Sequence, residues 1–202
     1  PKKYSPAHHY SGFAELVCSN SLKAARVESA AGLLKEEMRH MGSLTLESAA
    51  QCSVAAGGAL AVDRTLFSDY ITEKIKTHPN ITVISKEVTE IPDGNCIIAS
   101  GPLTSDALAD AIGELVHKQR LSFYDAAAPI VTAESIDRSV VFAASRYDRG
   151  DDDYLNCPMN KEEYERFYEA LISAESAPLH SFDRADGLKV YEGCMPVEVM
   201  AK

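Results

Sequence analysis

The chain has 202 residues, of which 46% are hydrophobic and 25% charged, a balance that is typical of globular proteins and excludes an intrinsically disordered chain. Its net charge of −10 is opposite in sign to that of proteins that bind nucleic acid non-specifically. No run approaches the roughly 20 apolar residues that span a membrane, and the first residues show neither an initiator Met nor a signal-peptide core. We therefore expect no membrane partner, and a chain that is processed or cut from something longer.

The cysteines are widely spaced and include no CxxC pair, a pattern that favours reduced thiols in a cytoplasm over a disulfide framework or a zinc cage. They are Cys18, Cys52, Cys96, Cys157 and Cys194. No metal site is expected, because His8-His9 has no acidic or thiol partner nearby in sequence. The acidic loop 148–153 also lacks the glycine and closing glutamate positions of a calcium loop.

Helical spacing of apolar residues predicts a first helix over residues 26–41, with Gly42 at the position of a C-cap. The following segment, 54–60, contains Gly57-Gly58 flanked by small residues. This pattern indicates either a simple turn or a tight approach of the backbone to another group. The sequence alone leaves both interpretations open.

Asp63 is predicted to cap a second helix that runs to about His78. The elements predicted next are a short strand at 81–85, a turn at 91–95, a strand at 96–99 of the kind buried in parallel sheets, and a helix over about 105–117. This order predicts a mixed α/β sheet whose glycine-bearing segments lie near strand ends, where such folds bind ligands.

After about Leu121 the pattern changes to that of a separate α+β lobe. Short strands are predicted at 122–124, 130–131 and 140–143, followed by the charged loop 148–153. A helix then opens at Asn160, with Glu163 placed for a capping box. Its predicted buried stripe consists of Tyr164, Phe167, Tyr168, Leu171 and Ile172. From about Val190 the pattern returns to short strand and loop.

Two cysteines stand out by their neighbours. Cys18 precedes three small polar residues that lead toward a helix, and a thiol at a helix N-terminus can have a lowered pKa. Cys194 lies between Gly193 and Met195-Pro196, which would present its sulfur rather than pack it. On this local basis a buried structural role remains open for both, and no Gly-x-Gly-x-x-Gly fingerprint supports a dinucleotide site.

Nine blocks of sequence, in order over nearly the whole chain, together resemble one family. They are residues 6–9, 13–22, 32–38, 57–64, 100–105, 123–131, 145–148, 154–159 and 192–196. In these blocks the chain resembles the folate- and FAD-dependent tRNA (uracil-5-)-methyltransferases of the glucose-inhibited division protein A superfamily. The resemblance implies an α/β fold in which a partial FAD-binding, Rossmann-like domain (1–102) is interrupted by a smaller α+β insertion domain (103–189) and resumed at 190–202. Because that family begins with a glycine-rich FAD turn, it also implies an internal fragment that binds FAD weakly or not at all.

The resemblance further implies a reaction. Such enzymes use 5,10-methylenetetrahydrofolate, FAD and NAD(P)H to form 5-methyluridine at position 54 in the T-loop of tRNA. Their two cysteines match Cys18 and Cys194, one as a thiolate nucleophile and the other as an acid or base, with the assignment left open. The residues expected to border the flavin are Ser19, Asn20, Ser21, Gly57, Gly58, Asp63, Arg64, Ser100 and Gly101.

The tRNA partner requires positive charge that the overall composition lacks. In the predicted insertion lobe, basic residues that could bind phosphate are Arg138, Arg146, Arg149, Lys161 and Arg166, with Arg146, Arg149 and Lys161 as the expected contacts. The alternative for these residues is solvated surface. Alternatives for the whole chain are a ribosomal-RNA uracil-5-methyltransferase of the same family, a protein that modifies wobble uridines, and a flavin-free docking module with structural cysteines. DNA is not an expected partner, and the oligomeric state is left open.

Overall fold

The computed structural model describes residues 8–17, 19–101, 104–117, 131–145 and 151–175. These residues form an α/β fold of helices and two small antiparallel sheets. The chain divides into two compact units. One consists of His8–Val83 with Pro129–Glu162, and the other of Pro1–Ala7, Ile84–Ala128 and Glu163–Lys202.

The elements are short and follow one another closely. The strands are β1 (Ser21–Ala24), β2 (Ser53–Val54), β3 (Ala59–Val62), β4 (Phe142–Ala143) and β5 (Leu155–Asn156). The helices are α1 (Ala30–His40), α2 (Leu44–Gln51), α3 (Arg64–Thr77), α4 (Asp106–Val116) and α5 (Lys161–Ser173), with a 3₁₀ turn at Ala133–Ser135. One sheet has the order β1-β3-β2, and the other pairs β4 with β5. No helix in the described parts of the chain is both long and apolar enough to cross a membrane.

The core of the His8–Val83 unit lies where α2 and α3 meet β3. Its buried members are Ala49, Cys52, Val62, Phe67 and Ile71, of which Phe67 is only 1% exposed. The buried hydroxyl of Ser48 in α2 donates to the Phe67 carbonyl in α3 at 3.1 Å, so this polar group keeps a hydrogen-bond partner where the two helices meet. This core holds the Val62 end of β3, which is the strand that positions the candidate site.

Three predicted helices are confirmed, as is the glycine that was predicted to end the first of them. The first helix begins at Ala30 rather than Arg26, because the Ser29 side chain accepts from the Gly32 N–H and caps it there. It is followed by Gly42, whose φ of +72° is the left-handed geometry expected at a helix end. The helices capped by Asp63 and preceded by Ser105 lie within one or two residues of their predicted bounds. A further helix, α2, was not predicted.

The strands predicted at 81–85 and 96–99 are wrong. Both segments lie outside any strand, and their β-branched side chains are exposed, with Ile84 at 76% and Ile97 at 93%. A strand requires a neighbour for its backbone hydrogen bonds, and no described residue pairs with either segment. The mixed sheet expected from these strands is therefore replaced by small antiparallel ones. Between them the chain bends at residues 93–95, with Gly94 at a φ of +92°.

In the second half of the chain, the structure agrees with the predicted elements only in part. The strand predicted at 140–143 is shortened to β4 (Phe142–Ala143). The strand predicted at 130–131 is not seen at Val131, which belongs to no strand. Residues 122–124, 130 and 190–202 lie outside the described residues. Helix α5 begins directly after Asn160 as predicted, but its apolar stripe is not buried: Tyr164 is 55% exposed. Leu171 and Ile172 of the stripe are only half-buried. The predicted burial is therefore wrong, because periodicity shows where apolar residues align and not what covers them.

Candidate functional site

The segment that precedes Cys18 is held against α3. The Tyr10 hydroxyl donates to Asp69 Oδ1 at 2.5 Å, the Phe13 N–H donates to Thr72 Oγ1 at 2.7 Å, and the buried Ser68 hydroxyl donates to the Phe13 carbonyl at 2.6 Å. The bond to Asp69 raises the pKa of Tyr10, because the neutral hydroxyl is the better donor to a carboxylate. Residues 8–17 therefore follow the surface of one helix.

Ser19, Asn20 and Ser21 lie beside the end of β3 that leads into α3. Asn20 exchanges two bonds with Val62, whose N–H donates to the Asn20 carbonyl at 3.0 Å and whose carbonyl accepts from Asn20 Nδ2 at 3.1 Å. Ser21 is paired with Ala61, and its N–H donates to Ser19 Oγ. These bonds bring the polar segment after Cys18 to the strand end followed by Asp63.

Asp63 and Arg64 form the start of α3 at the same place. The Asp63 carboxylate accepts from the Leu66 N–H at 2.9 Å, and its own N–H donates to the Cys52 carbonyl at 2.8 Å. This is an N-cap, so part of the acceptor capacity of Asp63 serves the helix. Arg64 is the first helical residue, at the end where the helix dipole favours anions. The structure thus joins five of the sequence-predicted residues in one cluster.

Gly57 and Gly58 lie at the opposite end of β3. Five residue steps separate Gly58 from Asp63, which is about 16 Å of extended chain. Gly57 has a φ of +55°, and its N–H donates to Asp153 Oδ2 at 2.6 Å, while the Gly58 carbonyl accepts from the Ala25 N–H at 3.0 Å. The turn is therefore joined both to the segment after β1 and to the loop before β5.

Ser100 and Gly101 belong to the other compact unit and form the turn before α4. Ser100 Oγ and Thr104 Oγ1 lie 2.6 Å apart, and the Gly101 carbonyl accepts from the Thr104 hydroxyl at 2.6 Å. Gly101 adopts a φ of +70°. The glycine is thus required by the turn itself.

The predicted catalytic pair, Cys18 and Cys194, lies outside the described residues, as do Arg146 and Arg149. Lys161 is the first residue of α5 and is exposed, as are Arg138 and Arg166. Among the described residues, no group of three His, Cys, Asp or Glu side chains is arranged to hold a metal ion.

The remaining cysteines differ in environment. Cys52 is buried in the core, whereas Cys96 and Cys157 are exposed. The expectation that Cys96 packs in a buried strand is wrong, because residues 96–99 form no strand that could cover it.

Sequence reasoning missed an open pocket of about 700 Å³ beside Gly58. Its walls come from β1, the residues after it, β3 and the β4–β5 pair, including the side chains of Lys23, Arg26, Tyr154 and Asn156. The Tyr154 hydroxyl donates to the Ala56 carbonyl at 2.7 Å, which fixes the ring against the glycine turn. No sequence signal pointed to Lys23, because its position depends on a register shift between β1 and β3.

Comparison with known proteins places the chain in a family. A model of the glucose inhibited division protein A family matches residues 4–202. The chain belongs to this family. The resemblance found in the nine blocks is therefore confirmed at the level of the superfamily.

Individual relatives extend the match. The chain is 57% identical over 202 residues to a protein of Bacillus licheniformis, 60% over 204 residues to one of Heliobacterium modesticaldum, and 55% over 202 residues to one of Brevibacillus brevis. Each is named methylenetetrahydrofolate–tRNA-(uracil-5-)-methyltransferase TrmFO. The alignments cover 100% of this chain but 46% of each relative, so the chain spans about half the length of the curated relatives it matches.

Proposed function

We propose that the whole protein forms 5-methyluridine at position 54 in the T-loop of tRNA, with 5,10-methylenetetrahydrofolate as the one-carbon donor and NAD(P)H as the reductant. The observation that carries this proposal is the 55–60% identity, along the entire chain, to proteins named for that donor and for methylation of uracil in tRNA. The alignments cover the whole chain and therefore all nine blocks, including those with Cys18 and Cys194.

The two cysteines suit the chemistry of the uracil ring. C5 of uracil is a weak nucleophile until a thiolate adds at C6, which makes C5 enolate-like. A second group must then take the proton from C5 before the thiolate leaves. We assign these two tasks to Cys18 and Cys194, without choosing between them.

FAD, when bound, supplies the reducing chemistry of the reaction. The residues that we propose to border it are Ser19, Asn20, Ser21, Gly57, Gly58, Asp63, Arg64, Ser100 and Gly101. One feature of the described residues fits such a group. Asn20 is bonded to Val62, at the strand end that leads into α3, and the N-terminus of a helix favours an anionic group.

We propose that the FAD-binding, Rossmann-like domain comprises residues 1–102 and 190–202, with an α+β insertion domain at 103–189. The family resemblance of the blocks on either side of residue 102 supports this division. Within the insertion domain, Arg146, Arg149 and Lys161 are the proposed tRNA contacts. We also propose that the protein acts in the cytoplasm, because its widely spaced cysteines fit reduced thiols.

The test is single-turnover methyl transfer to tRNA by the whole protein, at the length of its relatives, with saturating folate and flavin. Cys18→Ala and Cys194→Ala should each abolish methylation while leaving the fold intact, since alanine offers neither a nucleophile nor a proton acceptor. Cys157→Ala is the matched control, because Cys157 is an exposed thiol with no proposed role. Wild-type rates for both variants would refute the assignment, and methylation of ribosomal RNA alone would refute the substrate.

A further inference from the structure

The pocket beside Gly58 contains two cations without anionic partners. Neither the Lys23 ammonium nor the Arg26 guanidinium makes an ion pair or a side-chain hydrogen bond among the described residues. Asp153, which directly precedes Tyr154 of the pocket wall, accepts a hydrogen bond from the Gly57 N–H at 2.6 Å. In a chain with a net charge of −10, two unpaired cations on one pocket wall favour an anionic ligand.

Lys23 is held in place by an irregular backbone. Three residue steps of β1, from Ser21 to Ala24, face two steps of β3, from Ala61 to Ala59, so β1 carries a bulge. Lys23 lies in it with a φ of +67°, a left-handed conformation that costs a non-glycine residue about 1–2 kcal/mol. A bulge re-aims a side chain, and here the re-aimed residue lines the pocket. A lysine in a conformation where glycine would be relaxed fits a role for its side chain in the pocket.

The same pocket also offers an aromatic surface. Tyr154 is 44% exposed, and its hydroxyl is fixed by the Ala56 carbonyl, so the ring stays at the wall. Leu155 and Asn156 extend that wall. Two cations and a partly exposed ring in one pocket match the two parts of a nucleotide, its phosphate and its base.

We propose that this pocket binds a nucleotide of the RNA substrate, with Lys23 and Arg26 on the phosphate and the Tyr154 ring beside the base. The inference rests on the proposed function, which supplies RNA as the substrate. RNA is favoured over a small anion because Ala144, on the pocket wall, precedes Arg146 and Arg149 by only two and five residues in sequence. Gly58 connects the pocket with the proposed flavin border, which is where a substrate must approach.

The test measures equilibrium binding of unmodified tRNA to the whole protein over a range of salt concentrations. Lys23→Ala and Arg26→Ala should each weaken binding by about two- to fivefold, and each should reduce the slope of log K against log salt by about 0.7–0.9. Lys86→Ala is the matched control, since the Lys86 side chain is exposed and lies outside the pocket. Unchanged affinity and slope in both pocket variants would overturn the proposal.

Two further measurements separate the alternatives. If the pocket instead binds the carboxylates of folate or the pyrophosphate of FAD, the variants will raise the KM for methylenetetrahydrofolate or lose flavin while tRNA affinity stays unchanged, and the proposal fails.

Lys23→Gly should lose as much tRNA affinity as Lys23→Ala but unfold at a higher temperature, because glycine accepts the left-handed backbone. A lower unfolding temperature for Lys23→Gly would overturn the role of the bulge. Failure of the proposed function would appear separately, as a wild-type protein that binds tRNA but forms no 5-methyluridine.

Discussion

The adjacent glycines of the β2–β3 turn should respond in opposite ways to alanine. At Gly57, φ is +55°, so a Cβ would cost about 1–2 kcal/mol of folding free energy. At Gly58, φ is not left-handed, and an added Cβ would lie 3.6 Å from Arg26 Nε and 3.8 Å from its Cδ, both ordinary contacts. Gly58→Ala should therefore stabilise the protein by about 0.4–1 kcal/mol, through the lower entropy of its unfolded chain.

The two variants should thus differ by about 1.5–3 kcal/mol in the free energy of unfolding. Urea unfolding of the whole protein, followed by circular dichroism, measures this difference if the m-values agree. Flavin absorbance after gel filtration provides the second readout. If Gly58 borders the flavin as proposed, Gly58→Ala should release flavin despite its higher stability, because the turn would lose the close backbone approach that glycine allows.

The outcomes separate packing from binding. Equal destabilisation by both variants would refute the backbone conformation assigned to the turn. A stabilised Gly58→Ala that keeps its full complement of flavin would refute the placement of Gly58 at the cofactor and leave the turn with a structural role only.

Three other variants test different parts of the chain. Gly12→Ala should destabilise by about 1–3 kcal/mol in urea unfolding, because its Cβ would lie 2.3 Å from the buried Ser68 hydroxyl oxygen, and an unchanged midpoint would contradict that packing. Cys96→Ala should change stability by less than about 0.5 kcal/mol, since the thiol is exposed, and a larger loss in the same assay would restore the buried strand. The hydrogen bond from Tyr70 lowers the pKa of Glu47 in the folded state, so this carboxylate stabilises the protein above its ordinary pKa and the effect is lost as the pH falls through the folded pKa. Glu47→Gln should flatten the dependence of the thermal midpoint on acidic pH, and an unchanged profile would refute that role.

Local signals determined the helices and turns. Asp63 and Gly42 mark helix ends through bonds and backbone angles that involve only a few neighbouring residues, and both helix ends agree with the structure. The family was equally accessible, because long blocks in a constant order identify it without reference to any contact. The gathering of Asn20 beside Asp63 was not derivable from spacing, since it depends on the pairing of β1 with β3.

Tertiary structure decided the strands, the burial and the pocket. The apolar runs at 81–85 and 96–99 have strand character, but a strand exists only where another backbone accepts its hydrogen bonds. The stripe on α5 was likewise correct in its spacing and wrong in its burial, because a periodic face does not specify what covers it. Lys23 is the clearest case. Its residue type is ordinary in the sequence, and only the register shift between two strands distant along the chain turns its side chain toward a site.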